Sequence, residues 1–227
     1  MKDCVIKKTL LAGILAVVAI LPGRAALYSY SGSSYSIPDG NFSGVASTIT
    51  VSGENASLTD IQVNLNLSGG LIGDLYGYLS YNGTAVVLLN RVGVGTINDG
   101  TSYGSLGTSL AITLFSSGTD VHWTTGNLTG EYLADGRDLD PVAATASFNA
   151  SGTQNLNASF GGVNPNGVWT LYFEDVSGGG GNSMVNGWSL DITAVPEPTT
   201  WALVVFGGFG GVLGLLRWRS RKKPTAV

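Results

Sequence analysis

Apolar residues recur at every second position along most of the middle of this chain. Ile61, Val63, Leu65 and Leu67 fall on one face of an extended segment, with Gln62, Asn64 and Asn66 on the other. A period of two sends side chains alternately to the two faces of a strand, so such a stretch can bury one face and wet the other. Val45, Ser47, Ile49 and Val51 repeat the pattern, as do Leu110, Ile112 and Leu114. So do Trp169, Leu171 and Phe173, and then Trp188, Leu190 and Ile192. The runs Leu75 to Tyr81 and Thr84 to Asn90 flank Asn82-Gly83, a pair that tolerates the positive φ of a type I′ hairpin turn. No window carries the spacing of a convincing amphipathic helix. With 34 glycines to make turns, many short strands point to an all-β fold, an antiparallel β-sandwich or jelly roll. The 168 residues from Leu27 to Ala194 suffice for one such body with a real core. Trp169 and Trp188 are expected inside it.

Charge is distributed very unevenly. Between Leu27 and Thr193 stand 13 Asp and Glu against only Arg91 and Arg137, a net of −11, while the whole chain carries −4. A body of that sign repels phosphate backbones and anionic membrane surfaces, which excludes a nucleic-acid role. The one cysteine is Cys4, so the body has no disulfide or thiolate ligand and depends on packing alone.

The two ends read as addresses. Lys2, Lys7 and Lys8 precede the 12-residue apolar run Leu10 to Leu21 and the small-residue stretch "PGRAA". That is the layout of an export signal over residues 1–25, cut by signal peptidase after Ala25. Residues 26–194 form the body, and 195–227 a second appendage. There, Val195, Pro196, Glu197 and Pro198 open a motif over 195–200, followed by 16 uncharged residues, 201–216. As a helix that run spans about 24 Å, short of roughly 30 Å of hydrocarbon but extended by interfacial Trp201 and Trp218. In the tail 217–227, Arg217, Arg219, Arg221, Lys222 and Lys223 hold the end in the cytoplasm by the positive-inside rule. The expectation is a signal helix at one end and a transmembrane helix at the other.

Pro-Glu-Pro, apolar run and basic tail, in that order, resemble the PEP-CTERM sorting signal. The resemblance implies an exosortase of a Gram-negative bacterium as partner, an inner-membrane intermediate, and release to the cell surface or extracellular matrix. The body carries a second resemblance. "SIPDGNFSGVASTITVSG", "LTDIQVNLNLSGGLIGDLYGYLSYNGTAVVLLNR" and "NPNGVWTLYFEDVSGGGGNSMVNGWSLDIT" are similar to the P/Homo B domain that follows the catalytic domain of subtilisin-like proprotein convertases. The likeness runs from Tyr35 to Thr193. It is carried by Ile37-Pro38-Asp39, Gly73-Asp74-Leu75, Asn166-Gly167 with Trp169, Asp175, and Trp188-Ser189-Leu190. It implies a galactose-binding-like sandwich and does not bring a protease, since no catalytic domain accompanies it.

The chemistry available is narrow. A Ser-His-Asp triad needs a proton shuttle, and His122 in "TDVHWTTG" is the only histidine. It lies far from any nucleophile elbow and reads as a surface or internally satisfied residue. With one His and no mature Cys, zinc is nearly excluded. Oxygen ligands in glycine-rich loops suit Ca²⁺, and Asp74, Asp99, Glu174 and Asp175 are the candidates, some P domains carrying calcium. The alternative is that these aspartates cap turns. "EYLADGRDLD", 131–140, lacks the spacing of a calcium loop and reads as a solvated acidic loop. Seven Asn-x-Ser/Thr triplets, beginning at Asn41, Asn55 and Asn66, reflect a polar β surface. No catalytic residue is assigned. The expectation is an exported, non-enzymatic surface or biofilm-matrix module that binds extracellular polysaccharide or a surface protein. The alternatives are an accessory domain of a separately encoded subtilisin-like protease and a cryptic hydrolase.

Overall fold

The computed structural model describes residues 24–54, 56–96, 103–150 and 154–196, and within them every alternating stretch is a strand. The first half supplies β1 (Ala26–Gly32), β2 (Tyr35–Ile37), β3 (Val45–Val51), β4 (Ala56–Gly69), β5 (Leu75–Tyr81) and β6 (Thr84–Asn90). The second supplies β7 (Ser109–Asp120), β8 (Leu128–Leu133), β9 (Gly167–Asp175) and β10 (Ser183–Pro196). Two sheets result. One runs β1-β10-β4-β7-β8 with β2 also paired to β10, and the other runs β3-β9-β5-β6. This is an all-β sandwich.

Between the sheets lie the inward faces of both. Ile61, Val63, Leu190 and Ile192 come from one sheet and Leu79, Leu88, Trp169 and Leu171 from the other, all completely buried. Trp169 stacks on Tyr81 at 4.1 Å and 8° and meets Phe160 edge-on at 5.1 Å. Its Nε1 donates to the Pro165 carbonyl at 2.9 Å. Trp188 is also buried, and its Nε1 donates to Ser47 Oγ at 3.0 Å, tying β10 to β3 across the sandwich. Asn82 and Gly83 connect β5 to β6 at φ +48° and +80°, the left-handed pair that a type I′ turn requires.

The apolar period of β4 changes phase once. Leu58 and Ile61 are both buried although three residues apart, because a bulge against β10 skips Thr59. The backbone amide of Ile61 donates to Asn157 Oδ1 at 3.0 Å, so a side chain supplies an acceptor beside the irregularity.

Two features depart from the sequence reading. β8 lies parallel to β7, so the sandwich is not wholly antiparallel. The segment after Asp120 returns to set Leu128 beside Leu110, and the pairing register jumps between Phe115 and Asp120, where the polar "SSGT" offers no apolar alternation and Gly118 sits at φ +117°. Short helices also occur, α1 (Thr145–Ala150) and α2 (Leu156–Phe160). α2 has only five residues, too few for an amphipathic period, yet it buries Leu156 and Phe160 and is capped by Asn155, whose side chain accepts from the amides of Asn157 and Ala158.

Candidate functional site

The ends of β2 and β9 and the short turn before β5 meet at one edge of the sandwich. Asp39 stands in the turn after β2, Asp74 closes the 3-10 turn Ile72–Asp74, and Asp175 is the last residue of β9. Leu75 pairs with Asp175 in register, and the Val176 amide donates to the Asp74 carbonyl at 2.9 Å, so the two aspartates end neighbouring strands. A glycine-rich loop, 176–182, folds over them. The Ser177 amide donates to Asp175 Oδ1 at 3.1 Å, and the Gly179 amide is shared by both oxygens of Asp39 at 3.0 Å. The Asp39 amide in turn donates to Asn182 Oδ1 at 3.0 Å. Only glycine fits this loop at 180: a Cβ there would stand 2.7 Å from Asp74 Oδ2.

Asp74 is 2% exposed and Asp175 fully buried. Asp74 Oδ1 and Asp175 Oδ2 have no hydrogen-bond partner, an expensive arrangement for a carboxylate. Burial first, then the charge of Asp175, pushes the Asp74 carboxyl up to about 6 against the lowering pull of Arg91 and of Ser177. Burial also raises Asp175, with the Ser177 and Gly40 amides working in the opposite direction. Arg91 is the cation here, its Nε donating to the Gly73 carbonyl at 3.3 Å and its Nη1 to Pro141 O at 3.4 Å.

Of the four carboxylates proposed from sequence, the fold joins Asp74 and Asp175. Glu174 points the other way, as alternation on β9 demands, and accepts the Tyr172 hydroxyl at 2.7 Å. Asp99 lies outside the described residues. Asp39 was missed as a site residue; the signal available was its place in the Ile37-Pro38-Asp39 match, remote in sequence from the others. No three His, Cys, Asp or Glu side chains among the described residues form a ready-made metal cage. Two orphaned carboxylate oxygens under a carbonyl-bearing glycine loop nevertheless suit an ion that accepts backbone oxygens, as Ca²⁺ does.

The stretch 131–140 is a correction. Asp135 and Arg137 are buried, not solvated. After β8 the chain crosses from one sheet to the other, with the Asp135 and Gly136 amides donating to the carbonyls of Leu88 and Val87 on β6 at 3.1 and 2.8 Å. That crossing draws the loop into a seam, where each charge has a partner. Arg137 bonds Asp135 Oδ1 at 3.0 Å and Asp120 Oδ2 at 2.7 Å. His122 is fully buried in the same seam, its Nδ1 2.9 Å from Asp135 Oδ2 and its Nε2 3.0 Å from the Val94 carbonyl. Phe148 lies parallel to the ring at 5.7 Å. Asp120 and His122 do not share a strand face: Asp120 caps the 3-10 turn Val121–Trp123 by accepting the His122 amide at 2.9 Å. With both ring nitrogens engaged inside the protein, His122 has no free nitrogen to offer a nucleophile.

Of the sorting motif, Val195 and Pro196 end β10, opposite Ser57 and Ala56. Glu197, Pro198, the proposed span 201–216, the basic residues 217–223 and residues 1–23 of the proposed signal 1–25 lie outside the described residues. Among the described residues no helix is long and apolar enough to cross a membrane.

No protein-family profile matches the chain, and no curated protein does. Among solved structures it is similar to the serine protease of Aeromonas sobria in complex with the chaperone, at 16% identity and a TM-score of 0.40. It is also similar to that serine protease alone, at 17% identity and a TM-score of 0.40. The alignments cover 76% and 74% of this chain but only 28% and 27% of those chains.

Proposed function

We propose that the chain is an exported β-sandwich module that acts by binding and not by bond-making. Its signal peptide directs export, its PEP-CTERM-like end is processed by an exosortase, and the body reaches the cell surface or matrix. The observation that carries the non-catalytic reading is His122: the one imidazole in the chain is sealed in the core with both nitrogens engaged. Hydrolysis that shuttles its proton through an imidazole therefore has no free group to run through. The net charge of −11 on the body favours neutral or cationic ligands, neutral polysaccharide foremost.

Glycan-array and insoluble-polysaccharide binding by the purified mature protein tests this reading. Saturable retention on at least one neutral glycan is expected. Turnover of a hydrolase substrate that is lost in a folded His122→Ala would overturn the non-catalytic reading. Sorting is tested by mass spectrometry of surface copies, which should lack the basic tail; intact tails throughout would end that part.

A second reading, a companion domain to a separately encoded subtilisin-like protease, is favoured by one observation. Asp39, Asp74 and Asp175, three positions that carry the P/Homo B resemblance, are far apart in sequence and share one cluster in the fold. Co-purification of such a protease with the tagged protein from its own host is the expected result, and a partner-free monomer counts against it.

A further inference from the structure

We infer that the outward face of the sheet β3-β9-β5-β6, around Tyr76, Tyr78 and Tyr172, binds a polysaccharide whose sugars carry protonated amino groups. The inference rests on the glycan-binding reading and gives it a site and a ligand class. The net charge of the body alone leaves neutral and cationic glycans both open.

Strand pairing assembles the face. Register sets Tyr76 beside Glu174, Tyr78 beside Tyr172 and Ser80 beside Thr170, and alternation turns all six away from the core. The Tyr78 and Tyr172 rings stack at 4.7 Å and 22°, and Tyr76 meets Tyr78 edge-on at 6.0 Å. Tyr172 is fixed further by its hydroxyl on Glu174 at 2.7 Å and by lying over Gly44, where a Cβ would collide with the ring. The aromatic surface is thus preformed, and each of the three rings is half-buried. Ring surface with a polar tip left in water suits the C–H faces and hydroxyls of a sugar. Beyond Tyr78 the face opens into a shallow hollow of about 410 Å³, walled in part by Ser80, Val168 and Thr170.

Charge selects among sugars. Glu174 adjoins the tyrosines, and the exposed Asp138 and Asp140 act on Tyr76 from the crossing segment after β8. No lysine or arginine stands on any of the four strands. Arg91, one residue beyond β6, is turned to the Gly73 and Pro141 carbonyls and acts on Asp74. An ammonium over a tyrosine ring with carboxylates beside it gains from both, and an anionic sugar is repelled. A peptide is served less well. β9 and β5, which carry the tyrosines, are paired on both edges. No strand can be added to them, so an extended peptide laid across them would leave its own amides without partners.

The experiment is calorimetric titration of a glucosamine hexamer, its N-acetylated twin and hexalysine into the full mature protein, at low salt and mildly acidic pH, alongside the glycan array. The glucosamine hexamer should bind about tenfold more tightly than the N-acetylated one, and high salt should close the gap. Tyr78→Ala should weaken it about tenfold. Because Tyr78 also packs on Tyr172, the exposed Asp138→Asn combined with Glu174→Gln is the second variant, expected to cost about fivefold. Equal affinity for the two hexamers, equal affinity for hexalysine, or binding unmoved by the double variant would overturn the inference. Failure of both hexamers while the array retains another glycan would also overturn it and leave the glycan-binding reading standing. Retention of no glycan at all would end both.

Discussion

Asp135 shows how much one buried charge can organise. Its two oxygens serve Arg137, His122 and the Asn90 amide, so removing it leaves the imidazole and the Asn90 amide without their acceptor and Arg137 with Asp120 as its one carboxylate. Asp135→Ala is expected to cost about 3–5 kcal/mol, read as a lower urea midpoint. Trp169→Ala should cost a similar 3–5 kcal/mol by leaving a cavity between the sheets. Its neighbour Val168 is 54% exposed, and Val168→Ala should stay within about 0.5 kcal/mol. The tyrosines give a pH dependence. Burial first, and then neighbouring acids, push Tyr30 and Tyr76 up to about 12 from 10.0. The unfolded chain therefore releases these protons at lower pH than the folded one, so stability should fall as pH rises from about 10 to about 12. Phenolate absorbance titration should show fewer tyrosines ionising near pH 10 than after unfolding. Equal numbers would contradict the assignment.

At the scale of elements, the hairpin joining β5 to β6 was legible from Asn82-Gly83 alone, because the turn is a local demand on φ. Gly83→Ala meets no neighbouring atom, yet φ is +80°, so backbone strain alone should cost about 1 kcal/mol. Gly77 differs. A Cβ there would stand 2.2 Å from the Phe173 ring, and Gly77→Ala should cost about 1–3 kcal/mol through overpacking. Thermal unfolding of the two variants separates strain from collision. The parallel pairing of β8 and the five-residue α2 were illegible for a related reason. Neither has a period of its own: β8 follows the kinked end of β7, and α2 exists because Leu156 and Phe160 find the core.

For the whole molecule, the two sheets share one core, and Trp188 bonds across it to Ser47. Unfolding should thus be a single cooperative step, with tryptophan fluorescence and far-ultraviolet dichroism giving coincident transitions. Separate transitions would mean that the sheets are independent.

The candidate site divides along the same line. Alternation, the Asn-Gly turn and the charge balance are written residue by residue, so the strands, the buried tryptophans and the acidic body follow from the sequence alone. Glu174 and Asp175 are neighbours in sequence, but the pleat sends one to the outer face and the other inward. Asp39 and Asp74 come together only when the sheets close, and Asp135 and Arg137 are buried only because the chain crosses between sheets there. Local pattern sets which face of a strand is apolar. Which distant carboxylates end up under one loop depends on long-range pairing, which no short window of sequence contains.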